Sequence, residues 1–406
     1  MPPSPPTLPQ DPLLRFYLGQ VFEDAGAALA ALPPEARRQI RDALSRREEI
    51  GGPRDTWGNW DFSFSRNHRE GLTYFAWVDE LLLRKVDLPR RRLWPDGKPF
   101  ALCITHDVDL LSGYPSLSGR IDKLLAMAGN PDTGAGPREY ALMLAGILKG
   151  TALALAGRAD PFDFHDMVRL EDSLGFKSTF HFIAERKGMP HFWDCFYRFE
   201  EKTRWDGRLM ESRQVMRELH RAGWDVGVHG SYRSALVPGL LRNEKEQIDE
   251  AVGELTVSTR QHYLHFEATL TPAIQADAGL LADSTQGFNR DVGFRAGTAF
   301  PYPFLSAAGE VLDLVEIPQH IMDTALFSGS SLGLPEELAL AHTLALMDRV
   351  ERLGGILTLN WHPLYWNIRP MWRRVFEEIL REARRRNAYG CSMRDALGRF
   401  HSHPKR

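Results

Sequence analysis

From Phe100 to Pro363 the chain alternates short apolar runs with amphipathic helical segments, and this alternation constrains the fold more than any other feature. "ALCITHDVDL", "KSTFHFIA", "WDVGVHG", "RQHYLHF" and "ILTLNWHP" read as strands. Between them, "DFHDMVRLEDSLGF" and "ESRQVMRELHRAG" read as helices stopped at Gly175 and Gly223. A third helix is expected to start near Asn243, a plausible N-cap, and a fourth to run from Pro335 to Gly354. Strands alternating with helices imply parallel βαβ units, in an open doubly wound sheet or a closed barrel. No GxGxxG or GxxxxGK[ST] loop follows any strand, so a nucleotide site lacks its key element.

Length and composition narrow the class. A chain of 406 residues, 43% hydrophobic and 25% charged, can bury a large core and is not mainly disordered. A net charge of -3 gives no broad attraction to nucleic acid. Three cysteines, Cys103, Cys195 and Cys391, are too scattered for a disulfide framework or a CxxC metal knuckle and suit a reduced cytoplasm. The proline-rich start does not resemble a secretory signal, and Lys149 interrupts the most lipophilic stretch, Tyr140 to Gly157. Membrane contact is therefore not expected, and that stretch reads as packed helix. We expect an N-terminal extension over residues 1–98, partly helical at Pro34 to Arg47, and a catalytic domain over 99–406 with a helical insertion at about 111–160, acting as a lid or an oligomer contact.

Three of the strands end in ionisable groups: His106, Asp107 and Asp109 after "ALCIT", His229 after "WDVGV", and His362 after "ILTLN". In α/β barrels, catalytic groups cluster at the carboxyl ends of the strands, where the loops converge over a packed floor. Two carboxylates one residue apart cannot lie buried without a positive partner, and a divalent cation held by one Asp and imidazoles satisfies them. The other Asp is then a candidate general base, and a separate His a general acid. His106 is better suited to packing behind the site. The HD pair of His106 and Asp107 does not suit an HD-type phosphohydrolase, whose pair sits on a helix.

"THDVD", "VGVHGSY", "TRQHY" and "LTLNWHP", in this order over Phe100 to Arg386, resemble the motifs of the polysaccharide deacetylases, the NodB-homology group or carbohydrate esterase family 4, in the branch with a DVD first motif. The resemblance implies a distorted (β/α) barrel and a metal-dependent hydrolase of C–N amide bonds, with zinc the expected ion. Asp107 would be the base, Asp109 and His229 metal ligands, Arg260 the residue orienting the base, and His362 the acid. Where the family's second motif has a further His, this chain has Arg233, so His262 is the expected third ligand, with Tyr232 a weaker substitute. Tyr263, Arg295 and Trp361 are candidate substrate contacts, and Tyr263 lies near a candidate oxyanion N–H. Asp283 and Asp323 are open candidates; His181 is read as structural or unassigned. The implied substrate is an N-acetylated saccharide or surface-polysaccharide precursor. A small non-sugar amide, or saccharide binding without turnover, are the alternatives.

Overall fold

The computed structural model describes residues 11–111, 163–185, 193–195 and 197–400, together with the helical positions Ala141, Leu144, Ala145, Leu148 and Ala152. Apart from those positions, the expected insertion lies outside the described residues. No helix among the described residues is long and apolar enough to cross a membrane.

The chain opens with α1 (Pro12–Val21), α2 (Ala25–Ala31), α3 (Pro34–Leu44) and α4 (Trp77–Lys85). Strands and helices then alternate: β1 (Ala101–Val108), α5 (His165–Leu174), β2 (Thr179–Phe182), the hairpin β3 (Lys202–Trp205) and β4 (Arg208–Glu211), α6 (Ser212–Arg221), β5 (Asp225–Gly230), α7 (Leu240–Val252), β6 (Ser258–Gln261), α8 (Thr271–Asp277) and β7 (Ala282–Asp283). β8 (Tyr302–Leu305), β9 (Val311–Glu316), β10 (Ile321–Met322), α9 (Glu336–Leu353), β11 (Ile356–Asn360), α10 (Pro370–Arg385), β12 (Tyr389–Cys391) and α11 (Met393–Phe400) complete the chain. α5 and α9 close on Gly175 and Gly354 in the left-handed conformation, as their stop signals predict. α7 starts at Leu240, with Gly239 rather than Asn243 at its N-cap. The strand expected through "RQHYLHF" ends at Gln261, because Tyr263 and Leu264 turn through positive φ.

The main sheet runs β10-β11-β1-β2-β5-β6-β7-β9-β8, with β12 added beside the start of β1. All pairings in it are parallel except β8 with β9. All eight residues of β1 are buried, as befits a parallel strand covered on both faces. The sheet is strongly curled. β1 and β6 are three places apart in it, about 14 Å if flat, yet Arg260 on β6 reaches Thr105 Oγ1 at 2.8 Å on β1. Between the edge strands β8 and β10 the circuit is completed irregularly, by the segment before β8. There Ile356 N–H donates to the Ala299 carbonyl at 2.9 Å. The result is a distorted barrel of parallel strands ringed by helices.

The N-terminal helices seat against this irregular side. Buried Leu14 and Leu18 of α1 belong to the same apolar core as Phe180 and Phe376. Asp79 on α4 accepts from Ala299 N–H at 2.7 Å and Thr298 Oγ1 at 2.8 Å, and from the Tyr17 hydroxyl. Val78 N–H donates to the Gly297 carbonyl at 2.9 Å, and Phe294 N–H to that of Thr73 at 2.7 Å. Backbone approaches backbone so closely that a Cβ on Gly293, at φ +127, would lie 2.1 Å from the Thr73 carbonyl oxygen. Gly293→Ala is therefore expected to destabilise the fold by at least ~2 kcal/mol, read as a lower midpoint in chemical denaturation.

Burial pushes Asp79 up from 3.8 to about 7, against the opposing hydrogen bonds from Tyr17, Ala299 and Thr298. A carboxyl whose value is raised on folding stabilises the fold fully below its unfolded value, and that contribution is lost as pH rises through the folded one. The loss attributable to Asp79 thus falls between pH 3.8 and about 7. Asp79→Asn should flatten this decline, seen as a smaller difference in melting temperature between pH 5 and pH 8 than in the parent.

Candidate active site and metal centre

The charged end of β1 is satisfied from across the barrel. Asp107 Oδ1 accepts from Arg260 Nη1 at 3.0 Å, and Oδ2 accepts from Asn360 Nδ2 at 2.7 Å. Arg260 is fully buried, and its remaining donors reach the Ser284 carbonyl and hydroxyl, each at 2.8 Å, and Thr105 Oγ1. A rigid guanidinium fork with most of its donors hydrogen-bonded is a form in which a buried cation is tolerated. His181, on β2, places Nδ1 3.3 Å from Asp107 Oδ1. Burial alone would raise the Asp107 carboxyl, but Arg260, His229 and His181 outweigh it and hold the group well below the usual range. His181 is pushed down to about 4 by burial, and so sits there as a neutral ring at pH 7.

Asp109 and the imidazoles form the second layer. His229 Nδ1 faces the Arg260 carbonyl at 2.9 Å. A carbonyl only accepts, so Nδ1 carries the hydrogen and Nε2 is left facing Asp109 Oδ1 at 3.4 Å. Among the described residues, neither of those buried atoms has a hydrogen-bond partner. An imidazole lone pair opposite a carboxylate oxygen calls for a positive charge between them, either a proton or a metal ion. Without a metal it is a proton that answers: burial would lower His229, but Asp107 and Asp109 raise it. His262 Nε2 is 3.7 Å from the same Asp109 oxygen and 3.4 Å from Cys195 Sγ. Among the described residues, Asp109, Cys195 and His262 bring three ligand atoms within 4.8 Å of one another. Carboxylate oxygen, imidazole nitrogen and thiol sulfur form a donor set that fits zinc.

His362 follows β11. Its backbone N–H donates to Asp323 Oδ2 at 2.7 Å, and its Nδ1 donates to Asp323 Oδ1 at 2.6 Å. Nε2 then faces Asp109 Oδ2 at 3.8 Å and Asp107 Oδ2 at 4.0 Å. Burial would lower this imidazole, yet Asp323, Asp109 and Asp107 push it up to about 10. The surroundings thus favour the charged form of Asp107 and the charged form of His362, side by side.

Asp107, Asp109, His229, His262, Tyr263 and His362 all line one cavity of about 210 Å³. Arg260 lies beneath it, in contact with Asp107. Two expected substrate contacts lie elsewhere. Arg295 is buried against Glu49 (2.9 Å) and the Gly287 carbonyl (2.7 Å), where it ties the barrel to the N-terminal segment. Trp361 is 1% exposed and packs on Phe376 and Phe327, away from the cavity. Arg233 lines a separate cavity with Glu185 and Glu244, and the Tyr232 hydroxyl donates to the Trp57 carbonyl. His106 is held between the Trp361 carbonyl and Glu171, a packing role. Asp283 lies apart from the cavity, bonded to Thr285 and pushed up to about 6 by burial.

From the sequence alone Asn360 and Cys195 have no assigned role, His181 is structural or unassigned, and Asp323 is open. Asp323 directly follows the short strand β10, so the strand-end pattern already contained its signal. Cys195 lies in irregular chain between β2 and β3, and no spacing marked it.

No family model and no curated protein matches the chain. Solved structures do. A probable polysaccharide deacetylase from Pseudomonas aeruginosa PAO1 matches over 79% of this chain and 97% of its own, at 16% identity and a TM-score of 0.48. This chain is similar in structure to the polysaccharide deacetylases. Puue allantoinase matches over 79% of this chain and all of its own, at 14% identity and a TM-score of 0.48. A CE4 family pseudoenzyme from Bacillus anthracis matches over 75% of this chain and 66% of its own, at 11% identity and a TM-score of 0.33.

Asp323 fixes the tautomer of His362 and helps to raise its imidazole, so Asp323→Asn should lower the pH at which the His362 ring loses its proton, read by NMR titration of that ring in the full chain.

Proposed function

We propose that the chain is a metal-dependent amidohydrolase that removes an N-acyl group, foremost an N-acetyl group from a saccharide. The observation that carries this reading is the pairing, at one cavity, of Asp107 with Arg260 and of His362 with Asp323. Asp107 is kept ionised by Arg260, and His362 is kept protonated by Asp323, with Nε2 4.0 Å from Asp107 Oδ2. Such a pair can take a proton from water and give one to a leaving nitrogen within one turnover. Asp109, His229 and His262, joined by Cys195, would hold a divalent ion, foremost zinc. When bound, that ion supplies Lewis acidity to the water and to the substrate carbonyl.

Asp107 accepts the proton of the attacking water, and Arg260 and Asn360 hold its carboxylate towards the cavity. Water oxygen bonds to the acyl carbon, and the C–N bond breaks as His362 Nε2 protonates the nitrogen. The products are a carboxylic acid and an amine, and the proton held by Asp107 restores His362 for the next cycle. Tyr263, turned through a φ of 59°, lies at the cavity wall, where a backbone N–H of its turn can serve the developing oxyanion.

The purified chain should take up about one zinc and release acetate from N-acetylated sugars. Asp109→Ala should abolish both. His362→Ala should keep the zinc and lose about 100-fold or more in turnover. His262→Ala and Cys195→Ala should each weaken zinc retention against a chelator. Equal loss of zinc and turnover in His362→Ala would remove its role as acid. A chain that binds N-acetylated sugar but neither zinc nor any other divalent ion would be a binding protein, the outcome that Arg233 in the second motif favours.

A further inference from the structure

Part of the site cavity is built by the N-terminal segment, outside the motif-bearing region. Trp57 lines the cavity together with Tyr263, Tyr365, Asn289 and the serines of the 328–331 stretch. Trp57 sits on a tight turn. Asp55 Oδ1 accepts from the N–H groups of Trp57 (2.8 Å) and Asn59 (3.0 Å), Asp55 N–H donates to the Asn59 carbonyl at 2.7 Å, and Arg54 bridges to Trp60. The turn is fastened to the barrel from several directions. The Tyr232 hydroxyl donates to the Trp57 carbonyl at 2.7 Å, Asn59 Nδ2 to the Tyr263 carbonyl at 2.8 Å, and Phe266 N–H to Asn59 Oδ1 at 3.0 Å. Arg54 pairs with Glu267. Gly58, at φ +74, leaves no room for a side chain, since a Cβ would lie 2.9 Å from the Tyr232 hydroxyl. A half-buried indole held this firmly is a preformed surface and needs little ordering when a ligand arrives.

Besides the ionisable groups at the strand ends, the lining offers aromatic faces, hydroxyls and the amides of Gln261 and Asn289. The Trp57 and Tyr263 rings lie 6.3 Å apart, inclined at 30°, and the Arg290 guanidinium covers Trp57 at 4.5 Å. Flat apolar faces beside neutral hydrogen-bonding groups suit a sugar ring, which presents C–H faces and hydroxyl edges. The cavity, about 210 Å³, is smaller than the ~300 Å³ at which pockets for drug-sized ligands begin.

We infer that Trp57 is a specificity-determining residue: with Tyr263 it forms the platform for a single N-acylated sugar ring, and its turn stops a polymer from running through the site. The inference rests on the saccharide reading above, and binding can be separated from hydrolysis. The full chain carrying His362→Ala, with zinc added, is titrated calorimetrically with N-acetylglucosamine and with its β-linked tetramer. We expect the monosaccharide to bind within about threefold of the tetramer, Trp57→Ala to weaken both by about tenfold or more, and Trp57→Phe to restore most of the loss. Melting temperatures show that the Trp57 variants are folded. Unchanged affinity in Trp57→Ala, or a tetramer bound more than about tenfold tighter than the single ring, would overturn the inference. So would absence of sugar binding in a zinc-loaded chain. Sugar binding that depends on Trp57, in a chain whose parent releases no acetate, would uphold the platform while removing the hydrolase.

Discussion

The buried contact between Arg260 and Asp107 ties the molecule together. It joins β6 to β1 across the barrel, over a span that the sheet covers only by curling. Taking away one partner of such a pair leaves a buried charge uncompensated, which typically costs roughly 3–5 kcal/mol. The same contact favours the charged form of Asp107, because a carboxyl this deeply buried would otherwise lean towards its neutral form. The span depends on one guanidinium fork that also donates to Ser284 and Thr105.

Around this contact the site separates charge by environment. Asp107 and His362 lie within 4.0 Å of each other, and each has a partner of opposite sign behind it: Arg260 for the carboxylate and Asp323 for the imidazole. Titratable groups whose surroundings push their charge states apart are how a protein keeps an acid and a base ready at one pH. Asp109 and His229 add a third arrangement, two acceptor atoms facing each other and in need of a positive charge between them.

The N-terminal segment takes part in the same construction. Where the regular ladder stops between β8 and β10, α1 and α4 fill the side of the barrel through Tyr17 and Asp79. Arg295, a plausible substrate contact from its sequence setting, spends its guanidinium on this seam with Glu49. The turn carrying Trp57 extends the segment to the mouth of the cavity.

Periodicity and stop signals in the sequence determined the alternating βα architecture, because burial of parallel strands on both faces forces continuous apolar runs and glycine closes the helices. Strand ends marked Asp107, Asp109, His229 and His362, since ionisable groups at the end of a core strand need partners that only a convergent site supplies. Tertiary structure alone decided the partners. Asn360 and His181 reach the site from strands distant in sequence, Asp323 from the residue just after β10, and Cys195 from irregular chain that has no period to read. It also decided the side on which Trp361 lies: whether a residue next to a strand-end histidine faces the cavity or the core depends on which face of the curled sheet the helices cover.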